Sequence, residues 1–586
     1  MSMLNPHPGN AAIVTLALLA AACGGNDVGP TIPPRLEFSV SELPLGLDRS
    51  ATVELRNSGE QGAGAIEIVA SAVRDAGGST APGTALNVEP QRVPSLAPGA
   101  SVSVTVSISL GGTLASGPYD AVVEARTGTS TAAQLPVTFD VLAGPEAAAA
   151  AVRILAPATD LRQGDVTGFS VEVRDSAGVV VEGARVHWSV EPASMGIVGE
   201  NGQFVGYGVG GASVLATVGT ASDTVRVTLR ARGVEGKFTL EGEGEDTQRF
   251  TSDLWLFGDY AYTGTWGTRQ GPSGAFRGNA LNTWDISGGA PRKVATLTVD
   301  AGTVNDVKIR ADGKLGILTH EGSNDGRNGV TLFDLSDPAR PKGITRFTSG
   351  LESGVHNAWL EGDYAFVAVD GQGQGLRILD VSSPARPKLV ASYYAGSSFL
   401  HDVYVRDGLA FLSHWNAGLV ILDVGNGMAG GSPGNPVEVV RLADLGGETH
   451  NAWYWPAAGY VFVGEEDFAA PGVVHVVDIR NLSAPVEVAT FAVPGQTPHN
   501  FWLDEDRAIL YVAWYANGIR ALDVSGDLLG ELDRQGREIA GLRYHGGSGE
   551  CDLGTAGTCS WAPQLHRGRV WVSDLNRGLV SLKPPS

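Results

Sequence analysis

The segment HNAWLEGDYAFVAVDGQGQGLRILDVSSPARPKLV, residues 356–390, shows most clearly how the C-terminal part of this 586-residue chain is expected to fold. Apolar, β-branched and aromatic residues alternate around the turn at Gly362 and Asp363, and Gly, Ser and Pro separate the later runs. Runs of this composition between turn residues predict β-strands. None of them has the 3.6-residue period of an amphipathic helix, so the segment predicts a unit of four short strands.

The same unit recurs along the chain. Four copies open with His followed by Asn or Asp, at His356, His401, His450 and His499. The third run of each unit ends in an aspartate, at Asp285, Asp334, Asp380, Asp423, Asp478 and Asp523. We interpret these aspartates as turn caps, because Asp before Ser or Asn favours turns. Four short strands in each repeat of roughly 40–50 residues predict the blades of a propeller.

Two copies carry a recognisable motif. The runs GVTLFDLSDPARPK (329–342) and GLRILDVSSPARPK (375–388) resemble the third strand and following turn of the LVIVD-repeat family of bacterial β-propellers. Two other copies depart from it, with GNGMAGGSPGN inserted after Val424 and DLLGELDRQGRE in place of the Pro turn at 527–538. The resemblance covers roughly residues 236–586. It implies a fold rather than a function, because propellers host unrelated activities.

The number of blades follows from counting these units. Six have a third-strand aspartate, and a seventh, APQLHRGRVWVSDLNRGLVSLK (562–583), lacks an outer strand. The run GKFTLEGEG (236–244) precedes the first unit and resembles such an outer strand. We therefore expect a seven-bladed propeller over residues 236–586, closed by an N-terminal strand that leaves no open sheet edge.

The N-terminus predicts export. Residues 11–22, AAIVTLALLAAA, form a short apolar run that ends at Cys23 and resembles a bacterial lipobox, so residues 1–23 are interpreted as a lipoprotein signal peptide. Ala20 departs from the usual Leu of that motif, and the residues before the apolar run contain no Lys or Arg. The alternative is an ordinary secretory signal in which Cys23 has no role. Residues 24–34 predict a flexible tether.

Two modules separate this tether from the propeller. Residues 35–143 and 152–232 contain strand-like runs with period-two alternation, which predict two immunoglobulin-like β-sandwiches. The second module resembles the bacterial Ig-like domains of surface proteins. The whole chain is thus expected to be all-β, with the two sandwiches forming a stalk.

Composition excludes some partners. The net charge of −22 argues against nucleic acid, whose phosphates require clustered Lys and Arg, and the membrane is expected to be reached only through the lipid anchor. Cys551 and Cys559 flank DLGTAGT. We predict a loop-closing disulfide there, because two cysteines without a nearby His make a poor zinc site; a metal or redox pair is the alternative.

Only the fold brings the repeated histidines together. The first strand of each propeller blade lines the central channel, so His356, His401, His450 and His499 are expected at one level. The residues that follow the starts of these strands are expected to form a second channel ring, made of Asp253, Asp306, Asn357, Asp402, Asn451 and Asn500.

Two interpretations of the histidines remain open. Each imidazole could bond the backbone of a neighbouring blade or a channel water, as buried polar groups usually do. Alternatively, the four histidines could coordinate one transition metal ion, zinc or copper, with carboxylates fixing their tautomers.

The ends of the second strands vary from blade to blade, as a binding face on a repetitive scaffold would, although ordinary loop variation has the same appearance. These residues are His320-Glu321, Asp370, His414-Trp415, Glu465-Glu466, Trp514 and Asp574.

The predicted function is binding. The chain has no GxSxG elbow, phosphate loop, HExxH or EF-hand motif. We expect a lipid-anchored protein of the outer membrane or cell surface that is not an enzyme, whose head binds a glycan, a peptide or a protein. The alternative is a metal-dependent enzyme that uses the channel histidines. At a looser level, the head resembles propeller oxidases such as the selenium-binding-protein family.

Overall fold

The computed structural model describes residues 33–45, 50–109, 117–141, 145–271, 274–371, 373–396, 398–443, 445–467, 472–546 and 551–585. Within these ranges no helix is both long and apolar enough to cross a membrane. The predicted signal peptide, its Cys23 and most of the tether lie outside the described residues.

The first β-module packs around one apolar core between residues 36 and 139. Its strands are β1 (Leu36–Phe38), β2 (Leu43–Pro44), β3 (Ser50–Asn57), β4 (Ile66–Ala70), β5 (Ala72–Asp75), β6 (Thr80–Glu89), β7 (Arg92–Val93), β8 (Ser101–Ser109), β9 (Gly117–Thr127) and β10 (Ser130–Val141). The short strand β5 bonds to both β6 and β9. Hydrogen bonds therefore connect all ten strands into one network rather than into two separate sheets.

The second β-module has its own core, in which Phe204, Val214 and Leu229 are almost fully buried. A short helix, α1 (Pro145–Ala148), precedes it. Its strands are β11 (Ala151–Leu155), β12 (Asp160–Arg162), β13 (Val166–Gly168), β14 (Ser170–Arg174), β15 (His187–Glu191), β16 (Gly196–Val198), β17 (Gln203–Gly206), β18 (Gly210–Val218) and β19 (Ala221–Arg230). They form three sheets, β11-β14, β12-β19-β18-β15 and β13-β17-β16.

The C-terminal part is built from consecutive antiparallel sheets with the strand order inner to outer. The first three are β21 (Phe250–Phe257), β22 (Tyr260–Trp266), β25 (Ala280–Asp285), β26 (Arg292–Thr298); β27 (Val307–Ile309), β28 (Leu315–His320), β29 (Gly329–Asp334), β30 (Lys342–Phe347); and β31 (Val355–Glu361), β32 (Tyr364–Val369), β33 (Leu376–Asp380), β34 (Lys388–Tyr393). A separate hairpin, β23 (Thr268–Gly271) and β24 (Gly274–Arg277), lies in the connection between β22 and β25 of the first sheet.

Three more sheets follow the same order. They are β35 (Leu400–Arg406), β36 (Leu409–His414), β37 (Gly418–Asp423), β38 (Val437–Leu442); β39 (Thr449–Trp455), β40 (Tyr460–Glu465), β41 (Val473–Asp478), β42 (Val486–Ala492), with β46 (Gly530–Glu531) added at the edge; and β43 (Phe501–Asp504), β44 (Ile509–Ala513), β45 (Ile519–Asp523), β47 (Glu538–Leu542).

The last sheet joins the two ends of this region. It contains β48 (Ser560–His566), β49 (Arg569–Asp574) and β50 (Gly578–Lys583), and its outer strand is β20 (Thr239–Glu245), from the start of the region. Leu240 lies opposite Leu582 in this antiparallel pair. The inner strand of each described sheet contacts the inner strand of the next, and β48 contacts β21. The sheets thus surround a central channel, as in a β-propeller.

The repeated third-strand aspartates cap turns, as predicted. Asp380 accepts hydrogen bonds from the backbone and hydroxyl of Ser382, and Asp334 does the same with Ser336. These bonds favour the ionised carboxylate and hold the pKa of both aspartates below the usual value. The turn after Asp423 contains the inserted loop and still uses the aspartate as its cap. Five backbone N–H groups of that loop, between residues 425 and 431, donate to the Asp423 carboxylate.

The other departure from the repeat has a structural reason. The segment 527–538 forms β46, a 3₁₀ turn (Leu532–Arg534) and the start of β47, and it contacts the second β-module. The hydroxyl of Tyr207 accepts a bond from the backbone N–H of Glu531 at 3.1 Å, and the Gln163 side chain donates to the carbonyl of Arg534 at 3.0 Å. The insertion therefore serves as a docking surface between module and propeller.

Candidate functional site in the propeller channel

The four predicted histidines lie side by side around one level of the channel. The ring centroids of His356, His401, His450 and His499 are 4.2–4.3 Å from each neighbour, and Trp561 continues the series 4.3 Å from His499. We call these five residues the histidine arc. Four of them come from the inner strands of consecutive sheets, and His499 lies just before the inner strand β43 of its sheet.

A β-bulge aims these side chains into the channel. The register of β31 on β32 shifts between Val355 and Asn357, and the same shift occurs at Leu400/Asp402 and Thr449/Asn451. His356, His401 and His450 are the extra residues of these bulges. Consecutive side chains of a regular strand face opposite ways, whereas a bulge re-aims one of them. Each His and the Asn or Asp after it can therefore both contribute to the channel.

Two imidazoles bond the backbone of the next blade. Nδ1 of His401 lies 3.1 Å from the carbonyl oxygen of His450, and Nδ1 of His499 lies 2.6 Å from that of Trp561. Nδ1 is therefore the donor in both rings, which leaves Nε2 as the basic nitrogen. His401 and His499 thus behave as in the first of the two interpretations, in which each imidazole bonds the backbone of a neighbouring blade.

His356 is paired with carboxylates instead. Its Nδ1 lies 2.8 Å from Oε1 of Glu321 and 3.9 Å from Oδ1 of Asp370. Burial opposes the charge on this imidazole, but the two carboxylates outweigh burial and raise the pKa of His356 to about 9. His356 is therefore a partly buried cation at neutral pH.

Glu466 faces His401 and His450. Its Oε2 lies 3.6 Å from Nε2 of His450 and 3.9 Å from Nε2 of His401, while the Tyr515 hydroxyl donates to its Oε1. Burial raises the pKa of Glu466 to about 7. Burial and the neighbouring imidazoles lower the pKa of His401 and of His450 well below the usual value. Neither nitrogen of His450 has a hydrogen-bond partner among the described residues.

The second predicted ring links the blades and holds a buried ion cluster. Oδ1 of Asn357 accepts from the backbone of Val403 at 3.1 Å, and Nδ2 of Asn451 donates to the carbonyl of His499 at 3.3 Å. The Lys308 ammonium bonds Asp306, and it lies 2.8 Å from Oδ2 of Asp253.

Burial and Lys308 act in opposite directions on the carboxylates of this ring: the pKa of Asp253 is lowered, whereas burial raises the pKa of Asp306 well above its usual value. Burial tends to lower the pKa of Lys308, but Asp253 and Asp306 outweigh burial and raise it above its usual value. Asp402 lies in the same ring without such an ion pair, and burial raises its pKa to about 7. Asn500 completes the circuit with a 3.3 Å bond from Nδ2 to Oδ1 of Asp253.

A third level of the channel was not predicted. Five aromatic rings form a closed circuit in which each lies 4.7–6.1 Å from the next. They are Trp255, Trp359, Tyr404, Trp453 and Trp502, which we call the aromatic collar. The sequence held a signal for it, because an aromatic residue follows two positions after the channel-ring residue in HNAWL, HDVYV, HNAWY and HNFWL. Lys308 occupies the equivalent position in its blade, 5.4 Å from the Trp255 ring centroid.

The collar surrounds a cavity of about 50 Å³. Asp402, Asn451 and Lys308 contribute to its wall. The indole nitrogens of Trp359 and Trp453, and Oδ1 of Asn451, are buried without a hydrogen-bond partner among the described residues. A cavity of this size and polarity accommodates a few waters or a small polar group of a ligand.

The variable ends of the second strands divide into two groups. Glu321, Asp370 and Glu466 reach the histidine arc, as described above. His414 and Asp574 have other surroundings: burial lowers the pKa of His414 to about 4, and Asp574 accepts bonds from Tyr544 and from the backbone of Cys559, both at 2.7 Å.

Cys551 and Cys559 form a disulfide bond, with 5.2 Å between their Cα atoms. Both residues are buried in a core cluster next to the histidine arc's Trp561. The bond closes the loop that precedes β48.

Comparison with known proteins finds the repeat that the sequence predicts. The LVIVD repeat family matches residues 248–268, 354–395 and 400–443. No curated protein matches the chain. Among solved structures, the Myceliophteria thermophila Cps50 (Swd1) beta-propeller domain matches with a TM-score of 0.42 at 11% identity, over 59% of this chain and 98% of that one. The computationally designed Ika8 protein matches with a TM-score of 0.39 at 10% identity, over 60% of this chain and 100% of that one. The chain thus contains LVIVD repeats, and the four-stranded sheets around its central channel make the C-terminal region a β-propeller.

Proposed function

We propose that this chain is an extracytoplasmic, lipid-anchored surface protein that displays a seven-bladed propeller on an Ig-like stalk and binds a ligand with that propeller. The pairing of β20 with β50 supports the closed seven-bladed arrangement, because it gives the sheet that contains the chain's last strands an outer strand. The two β-modules with separate cores support the stalk.

The location rests on the apolar run and Cys23. Labelling of cells with radioactive palmitate is expected to mark the wild-type chain but not a Cys23→Ser variant. The same variant should leave the membrane fraction, since the anchor is its only predicted membrane contact. Equal labelling of both chains would contradict lipidation.

The aromatic collar is the observation that carries ligand binding. Buried indole N–H groups normally find an acceptor, yet Trp359 and Trp453 have none among the described residues. The collar also presents half-buried aromatic faces around the cavity. This combination suits a ligand that stacks on aromatic rings and inserts hydroxyl groups as acceptors.

Among the expected ligand classes, an uncharged glycan fits best. Sugar hydroxyls accept and donate hydrogen bonds, and sugar rings stack on Trp and Tyr. The net charge of −22 disfavours polyanionic ligands. Lys308 already occupies one side of the collar with its own ion pairs, which disfavours a cationic ligand.

An array of neutral oligosaccharides probed with the purified chain tests this proposal, followed by calorimetric titration of the best binder. Trp359→Phe and Trp453→Phe keep an aromatic ring but remove the indole N–H, and each is expected to weaken binding by about 10-fold. Tyr394→Ala, which changes an aromatic residue that is 55% exposed on the outer side of a blade, should bind as the wild type does. Binding unchanged in both Trp variants would contradict the collar as the site, and binding of peptides or proteins alone would contradict the ligand class.

One observation favours a second candidate, a metal-dependent enzyme. Two imidazoles and a carboxylate, His401, His450 and Glu466, lie together in the channel. Turnover of a substrate that depends on added metal would favour this candidate over a binding protein.

A further inference from the structure

We infer that His401, His450 and Glu466 form a binding site for one divalent transition-metal ion. The site is independent of ligand binding at the aromatic collar, because the histidines lie at the start of the inner strands and the collar lies three residues further along them. It also differs from a site made of all four histidines, since His356 and His499 have other partners.

The spacing of the donor atoms supports coordination. One nitrogen from each imidazole and one carboxylate oxygen lie within 4.8 Å of one another. The oxygen is 3.6 Å from Nε2 of His450 and 3.9 Å from Nε2 of His401. Ligands about 2.0–2.1 Å from a tetrahedral zinc ion are roughly 3.3–3.4 Å apart, so small side-chain rotations complete the geometry.

Neighbouring groups orient two of the three ligands. His401 uses Nδ1 in the bond to the His450 carbonyl, which directs the lone pair of Nε2 to the site. The Tyr515 hydroxyl holds the other oxygen of Glu466. Such outer contacts fix the tautomer and the orientation of ligands in known metal sites.

The burial of the three side chains also supports a metal site. His401, His450 and Glu466 are 5%, 2% and 3% exposed. Burying polar groups such as a carboxylate and an imidazole is costly when their hydrogen bonds are not made, and neither nitrogen of His450 is bonded within the described part of the chain. A cation bound between them would satisfy both groups at once.

The donor set defines the class of ion. Imidazole nitrogen suits zinc, copper, nickel and iron, whereas magnesium and calcium prefer sites made of oxygen alone. Two His and one Glu also occur in zinc sites that keep a fourth position open for water.

Isothermal titration of the full, untagged chain with Zn²⁺, after removal of metal with a chelator, tests the inference. We expect one Zn²⁺ per chain. Glu466→Gln keeps the shape and the acceptor for Tyr515 but loses the charge, and should lower the affinity by at least about 100-fold, as should His450→Ala. Tyr515→Phe should lower the affinity by about 10–100-fold, because it acts through Glu466. Binding of Co²⁺ should produce visible absorption bands of tetrahedral coordination.

His356→Gln is the matched control, because it changes the same arc one blade away and belongs to a second acidic cluster with Glu321 and Asp370. Its affinity for Zn²⁺ should stay within about 3-fold of the wild type. Loss of binding in His356→Gln with retention in Glu466→Gln would overturn the assignment, as would the absence of saturable one-to-one binding by folded wild-type chain. Circular dichroism in chelator shows whether each variant is folded, and Glu466→Gln still decides the question if His450→Ala is not.

Discussion

The guanidinium of Arg232, just after the last strand of the second β-module, forms an ion pair with Asp523 of the propeller, with 2.7 Å between Nη2 and Oδ2. The same guanidinium lies 2.7 Å from Asp165 of its own module. The Arg232 side chain is 1% exposed. One buried cation therefore connects the module with the turn after β45.

Arg232→Ala should destabilise the propeller and loosen the module. Removing one partner of a buried ion pair leaves an uncompensated carboxylate and costs about 3–5 kcal/mol of unfolding free energy. Urea denaturation followed by tryptophan fluorescence measures this change. Arg230→Ala removes a guanidinium that is 62% exposed and 3.7 Å from Asp160, and should cost less than about 1 kcal/mol. Equal midpoints for the two variants would contradict the role of Arg232.

The free energy of unfolding should depend on pH because His320 is buried in the folded protein. Nδ1 lies 3.2 Å from the Asp300 carbonyl and Nε2 lies 2.8 Å from Thr331 Oγ1. Burial, followed by the charge on Arg346, lowers the pKa of His320 to about 4. An unfolded histidine titrates near 6.5, so between these values the unfolded chain binds more protons. Stability is therefore complete above about pH 6.5 and falls as the pH falls toward 4.

Between pH 7 and pH 5, His320 is expected to lower the free energy of unfolding by about 2 kcal/mol. Denaturant unfolding of wild type and His320→Gln at pH 7 and pH 5 isolates it, because carboxylates titrate in both chains. The difference in stability between the chains should shrink by that amount at pH 5. A constant difference between wild type and His320→Gln would show that His320 does not contribute.

The Cys551–Cys559 disulfide should stabilise the edge of the channel. Both half-cystines are buried, and the bond closes a loop with a sequence separation of 8. A loop of that length loses about 2–3 kcal/mol of stabilisation when the bond is absent, by the chain-entropy estimate. Wild type in reducing agent and a Cys551→Ala/Cys559→Ala chain should unfold at the same, lower denaturant concentration. A midpoint unaffected by reduction would mean that the bond has no stabilising role.

Sequence patterns predicted the repeats but not the local irregularities that form the site. The strands, the aspartate caps and the neighbouring positions of the four histidines follow from periodicity and copying. The bulge at His356 does not, because period-two alternation places His356 and Asn357 on opposite faces. The approach of Glu466 to His401 also depends on contacts between different blades. No local pattern encodes such contacts, although both residues were among the candidates.

The segment 527–538, which contacts the second β-module, also has a role that the sequence did not predict. DLLGELDRQGRE was visible as a departure from the repeat, but its partner could not be read from the sequence. The contact of Glu531 with Tyr207 joins residues that are 324 positions apart. Contacts between residues so far apart in the sequence depend on how the two folded units pack against each other.

The buried lysine in the channel allows a test with a built-in rescue. Lys308 bonds Asp306 and lies 2.8 Å from Asp253, and all three residues are buried. Lys308→Met keeps the length of the side chain beside Trp255 but leaves two carboxylates without a cation. We expect it to lower the unfolding free energy by about 3–5 kcal/mol. Lys314→Met, at an exposed turn position, should have an effect below about 0.5 kcal/mol.

A second substitution separates charge from packing. Asp253→Asn in the Lys308→Met background removes one of the two carboxylates that the lysine neutralised, and should restore part of the lost stability. The same substitution in the wild-type background removes a partner of Lys308 and should destabilise. Opposite signs in the two backgrounds, measured by denaturant unfolding as a double-mutant cycle, are the expected result. If Asp253→Asn destabilises both backgrounds equally, the cluster contributes through packing rather than through charge.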